Sequence, residues 1–174
     1  MIPHRTDGDS RPGRLVQISK RCEYGLRAMI DLGVAERRGR SHVGVPELAR
    51  HERISPKYLE QILTRLRTAG YLDARRGRAG GYGLARPPRT IVMGDLVRLL
   101  EGPLAPIRCV SETAYERCSC PDEAHCGLRL LMGDVRAAVS RVLDRHTLAD
   151  AVTVTLRSLR RDGEPIPFAP QEAS

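Results

Sequence analysis

Residues 46–84 constrain the fold of this chain more than any other stretch, because helix starts, helix stops and turn residues follow one another there at close spacing. Pro46 suits the first turn of a short helix, PELARHER, and Ser55-Pro56 provides a capping residue and a first-turn proline for a second. That second helix, PKYLEQILTRLRTA, repeats apolar residues at Leu59, Ile62, Leu63 and Leu66, and Gly70 offers the left-handed stop. Its other face carries Lys57, Glu60, Gln61, Thr64, Arg65 and Arg67. Two β-capable pieces, around Tyr71-Leu72 and Tyr82-Leu84, then flank a tip rich in Gly and Arg. Helix, tight turn, helix and basic hairpin in this order predict a winged helix-turn-helix.

The rest of the chain is helical in pattern. With one Phe and no Trp, the core has to be built from Leu, Val, Ile, Ala and Met, which suits packed helices better than a sandwich. From Ile18 to Glu36 the apolar positions fit a helix buried over much of its circumference, and Cys22 within it reads as a core residue. MGDLVRLLEG reads as a short helix ended by Gly102-Pro103. Leu128, Leu131, Val135, Ala138, Val139 and Val142 repeat at three/four spacing, predicting a helix over about residues 126–145, on the order of 30 Å long, whose stripe needs a partner. Thr147 to Asp150 has the form of a capping box opening a short final helix. The expected architecture is therefore mainly α. Residues 1–15 are a disordered extension, 16–102 the winged helix-turn-helix domain and 103–125 a cysteine-rich loop. Residues 126–156 form a dimerisation helix with a short terminal helix, and 157–174 a disordered tail.

Charge points to the partner. The net charge is +8, but residues 1–89 carry 19 Lys+Arg against 9 Asp+Glu, a balance of +10, while residues 90–174 carry 10 against 12, a balance of −2. A basic front half attracts polyanions, with nucleic acid foremost. Arg75, Arg76 and Arg78 on the Gly-rich tip are placed to enter a minor groove; a solvated basic hairpin is the plainer reading of the tip alone. No segment has the roughly 20 apolar residues of a membrane span, and the N-terminal residues have no signal-peptide core, so a cytoplasmic protein without a membrane partner is expected. Four of the five cysteines, Cys109, Cys118, Cys120 and Cys126, fall within 18 residues, which points to metal or redox chemistry rather than to disulfides. Their C-x8-C-x-C-x5-C spacing collects soft thiolates in one loop, as an iron-sulfur cluster or zinc requires, without the paired C-x2-C knuckles of structural zinc.

Taken together, ISKRCEYGLRAMIDL, SPKYLEQILTRLRTAGYL, the RRGRAGGY wing, the cysteine loop and CGLRLLMGDVRAAVSRVLDRHTLAD resemble the IscR/NsrR-type (Rrf-two) family of bacterial regulators over about residues 16–152. The resemblance implies a homodimer joined through a long helix, binding palindromic operator DNA and sensing iron-sulfur status, nitric oxide, iron or redox state through a cysteine-bound [2Fe-2S] or [4Fe-4S] cluster. It implies major-groove roles for Ser55, Lys57, Tyr58, Glu60 and Gln61 and a minor-groove role for Arg76. The chemistry agrees: Lys57 and Arg65 reach phosphate or guanine, Gln61 pairs with adenine and Glu60 accepts from cytosine, whereas Tyr58 serves equally as a packing residue.

Family members need three cysteines, so one is spare. Cys120 and Cys126 keep the usual closing separation, leaving Cys118 as alternate ligand or bystander. Arg129 stands where some members carry a histidine, which leaves His125, Glu112, Glu116 or the spare cysteine as a local fourth ligand. Glu23 resembles an acidic position that in some members supplies a carboxylate to the partner subunit's cluster; its plainer role is an i,i+4 pair with Arg27. Val16 occupies the place where the family begins with Met, so residues 1–15 are expected to precede the true start. No nucleophile-base pair, phosphate loop or carboxylate pair suggests an enzyme. The competing readings are a zinc-stabilised interaction adaptor and a metal-free thiol switch, using the same cysteines.

Overall fold

The structure, a computed structural model, describes residues 17–77 and 80–170. The expectations about residues 1–15, Val16 as a start, and Arg78 lie outside the described residues.

Among the described residues, six α-helices and one hairpin follow the periodicities. Helix α1 (Lys20–Arg37) starts at Ser19, whose side chain accepts from the Cys22 amide at 3.2 Å. The same hydroxyl donates to Glu101 at 2.6 Å and so ties the helix start to the end of α4 (Met93–Glu101). Helix α2 (Val45–Glu52) has Pro46 in its first turn, and Arg53, with φ 55°, makes the left-handed turn into α3 (Pro56–Thr68). Ser55 holds the cap position of α3, but its side chain makes no capping hydrogen bond there. Gly70 adopts the predicted left-handed conformation, with φ 74°. β1 (Leu72–Arg75) and β2 (Gly81–Leu84) pair antiparallel, with Leu72 opposite Leu84 and Arg75 opposite Gly81. One-turn 3-10 segments cover Pro88–Thr90 and Arg108–Val110, and α5 (Gly127–Arg145) and α6 (Leu148–Arg161) complete the chain.

The core gathers around α1, which touches α2, α3, α4, α6 and β2. Met29, Leu48, Leu59, Ile62, Leu63, Leu66, Leu96, Leu100 and Leu148 are buried together, each burial worth roughly 1.5–3 kcal/mol. Cys22 is in this core, and burial pushes its thiol up to about 11, so it is an unreactive packing residue. Gly33 lets α6 approach: a Cβ there would lie 2.5 Å from Val152 Cγ2.

Two expectations about the C-terminus need correction. The final helix is 14 residues long, not short, and runs to Arg161 with Leu148, Val152 and Leu156 facing α1. Residues 157–170 are also not a free tail, and 171–174 lie outside the described residues: Phe168 is buried with its ring against His51, and Arg38 donates to the Ile166 carbonyl at 2.9 Å. An apolar face recurring every three to four residues and a lone Phe after the prolines are enough to dock this segment. No described helix is long and apolar enough to cross a membrane.

Candidate nucleic-acid interface and cysteine segment

Helix α3 divides along its length. Leu59, Ile62, Leu63 and Leu66 are buried, so Ser55, Lys57, Glu60, Gln61 and Arg67 are exposed on the opposite side. With no acidic residue in its first turn, its N-terminal amides leave a site favourable to phosphate. Tyr58 is half-buried and meets the Tyr24 ring edge-on, with centroids 6.1 Å apart, which is a packing role. Arg65, also exposed, is turned toward α4. Its guanidinium donates to the Leu99 carbonyl at 2.5 Å, because the open carbonyls at the end of α4 lie within its reach.

The wing is built more firmly than its composition implied. Val43 forms an isolated bridge with Tyr82, exchanging hydrogen bonds of 2.9 and 3.0 Å, which ties the hairpin to the segment before α2. Gly81 makes that contact possible: it sits at φ 147°, and a Cβ there would fall 2.1 Å from the Val43 carbonyl oxygen. Tyr82 is buried behind α3, while Arg75 and Arg76 are exposed at the outer end. Sequence reasoning passed over Val43, a single β-branched residue between His42 and Gly44 too short to register as a strand.

In the cysteine segment, Cys109 is buried and Cys126 is half-buried at the cap position of α5; both are free thiols. Arg129 on α5 donates to the Cys109 carbonyl at 3.3 Å, holding the two ends of the segment together. Cys118 and Cys120 are joined as a disulfide, against the expectation that none would form here. One intervening residue leaves their Cα atoms 5.4 Å apart, inside the range that a disulfide spans.

The segment's donors are right in kind for a soft metal centre but are not assembled as one. Among the described residues, the groups that bring three His, Cys, Asp or Glu ligand atoms together include none of the cysteines. Cys109, Cys118, Cys120 and Cys126 therefore do not bring three donor atoms onto one metal ion in this conformation, and the Cys118–Cys120 disulfide takes two thiolates out of any ligand set while it is closed. The local carboxylates are engaged elsewhere, Glu112 with Arg136 and Glu116 with Arg108, while His125 is exposed and lies 2.7 Å from Asp122. Glu23 bridges Lys20 at 2.7 Å and Arg27 at 3.3 Å, and the Lys20 hydrogen bond holds its carboxyl below the ordinary range.

Helix α5 has no buried residue, and Leu128, Leu130, Leu131 and Val142 are each more than half exposed. It is held to the domain by packing against α4, where one guanidinium nitrogen of Arg98, Nη2, donates to both Asp144 oxygens at 2.6 Å.

The arrangement of these elements matches known proteins. A family model described as an iron-dependent transcriptional regulator, Rrf2, matches residues 18–153. The chain belongs to the Rrf2 family. An Rrf2-like HTH-type transcriptional regulator of Rhodobacter capsulatus is 36% identical over 135 residues, covering 76% of this chain and 90% of that protein. Among solved structures, the global cysteine regulator CymR of B. subtilis superposes with a TM-score of 0.64 at 34% identity, over 80% of this chain and 98% of that one. IscR of T. potens superposes with a TM-score of 0.60 at 30% identity, over 90% of this chain and 94% of that one. This Rrf2 protein is thus a DNA-binding transcriptional regulator with a winged-helix fold, and its relatives are regulators rather than enzymes.

Proposed function

We propose that the chain regulates transcription as a homodimer on palindromic operator DNA, and that the segment from Cys109 to Cys126 is its sensor. The observation that carries the dimer is α5, which exposes four large apolar side chains along a helix otherwise docked to the DNA-binding domain. A two-fold pair through that helix covers the stripe and sets two α3 helices at a fixed spacing, as adjacent half-sites in the major groove require. In each half, Lys57, Glu60 and Gln61 read base edges with Ser55 beside them, and Arg75, Arg76 and Arg78 approach the minor groove. Gel-shift titration against a randomised duplex pool tests this reading. Enrichment of an inverted repeat supports it, and enrichment of nothing refutes it.

Two sensor chemistries divide on one observation. The resemblance implies an iron-sulfur cluster, with three of the cysteines and a fourth group such as Glu23 or His125. The Cys118–Cys120 disulfide instead favours a thiol switch, since a closed pair can take no metal. Anaerobic purification with a visible spectrum and an iron and sulfide assay separates them. Stoichiometric iron and sulfide, lost in Cys126→Ala, assigns the cluster; if Glu23→Ala also shortens its lifetime, Glu23 is the fourth ligand. Metal-free protein whose DNA affinity changes reversibly with dithiol reagent assigns the switch.

A further inference from the structure

A polar cluster is buried where α1, α2 and the C-terminal segment meet, far in sequence from both the wing and the cysteines. Asp31 comes from α1, and His51 and Glu52 from the last turn of α2. The Asp31 and Glu52 side chains are only 9% and 6% exposed. His51 Nδ1 lies 2.8 Å from Asp31 Oδ2 and 3.6 Å from Glu52 Oε1, and one ligand atom from each residue falls within 4.8 Å of the others.

Two carboxyls in contact away from water cannot both remain charged unless a proton or a cation lies between them. Asp31 Oδ2 and Glu52 Oε1 face the same His51 Nδ1, so the two buried carboxyls share one imidazole. Arg27 lies against the outer oxygen of Glu52, yet that oxygen is buried and receives no hydrogen bond of good geometry. Arg27 is also 44% exposed and has a second partner in Glu23, so it can release Glu52. His51 is 42% exposed beside the Phe168 ring, which leaves a path from solvent to the cluster.

We propose that Asp31, His51 and Glu52 bind a divalent transition cation of the Mn²⁺, Fe²⁺ or Zn²⁺ class. One imidazole and two carboxylates make a mixed nitrogen and oxygen donor set of intermediate hardness, with no thiol, so the site selects differently from the cysteine segment. The cation takes the place of Arg27 as the counter-charge of Glu52 and draws Asp31, His51 and Glu52 onto one centre. Because α2 is the first helix of the helix-turn-helix, occupancy fixes the α1–α2 contact on which α3 is seated.

Mn²⁺ alone is the probe, since it favours these donors over thiolate and its electron paramagnetic resonance signal falls on binding. Full-length protein, stripped with chelator and exchanged into metal-free buffer, is expected to bind one Mn²⁺ per chain saturably. His51→Ala and Asp31→Asn each weaken this by roughly 10-fold or more, a typical cost of disturbing a metal's ligand shell, with circular dichroism verifying the fold. Arg27→Gln tightens binding by freeing Glu52, and Cys126→Ala leaves it unchanged. No saturable binding by the wild type, or binding that survives in folded His51→Ala, overturns the proposal. So does loss of binding in Cys126→Ala, which would put the ion in the cysteine segment.

Discussion

Arg76, exposed, and Glu47, half-buried, show how differently two charges act in this protein. Arg76 is exposed where β1 ends, so its replacement should leave stability alone and weaken DNA binding. We expect Arg76→Ala to cost about 1–3 kcal/mol in specific binding, most at operators with a narrow A-tract minor groove, measured by gel shift at fixed salt. Glu47 does the reverse. It receives two hydrogen bonds, of 2.7 and 2.8 Å, from Arg40, whose side chain is only 7% exposed. Glu47→Gln therefore leaves a buried guanidinium without its counter-charge and should cost about 1–3 kcal/mol in urea unfolding. The Arg40 hydrogen bonds hold the Glu47 carboxyl below its ordinary value. The stabilisation is thus complete at neutral pH and is lost as pH falls through the lowered value. Urea midpoints of wild type and Glu47→Gln should converge in acid; a constant gap would contradict this account.

Among the elements, α6 and the wing carry sharp expectations. The capping box of α6 is present as its sequence indicated: Thr147 accepts from the Asp150 amide, and Asp150 accepts from the Thr147 amide at 2.8 Å. Thr147→Ala should destabilise the protein by about 1 kcal/mol, seen as a lower urea midpoint without loss of cooperativity, because α6 is packed on α1. Gly81→Ala should be more severe in function than in fold. The new methyl meets the Val43 carbonyl at a φ that side chains rarely adopt, so the wing is displaced and DNA affinity falls while the helical circular dichroism persists. The helix-turn-helix and wing were legible because each boundary carries its own residue, Pro46, Pro56 and Gly70. The bridge at Val43 was not, since one residue has no periodicity.

At the scale of the whole molecule, α5 is the exposed seam. Leu131→Glu places a charge in the stripe at a position 56% exposed, so the monomer fold should be intact. Light scattering should move from twice the chain mass to the chain mass, with operator affinity falling as the two half-sites uncouple. A Leu131→Glu protein that remains a dimer would put the interface elsewhere.

Local chemistry in the chain determined the helix-turn-helix, its basic wing, the capping box at Thr147 and the long apolar stripe of α5. Each depends on residues within a few positions of one another, where periodicity and turn stereochemistry act directly. Only the tertiary structure decided what lies across longer separations. It turned Arg65 onto the α4 carbonyls and closed Cys118 onto Cys120 while leaving Cys109 and Cys126 as free thiols. It also folded Phe168 back onto His51 and put Asp31 against Glu52. These contacts follow from how the helices pack around α1, and a pattern read along one helix does not register which side chain from another will face it.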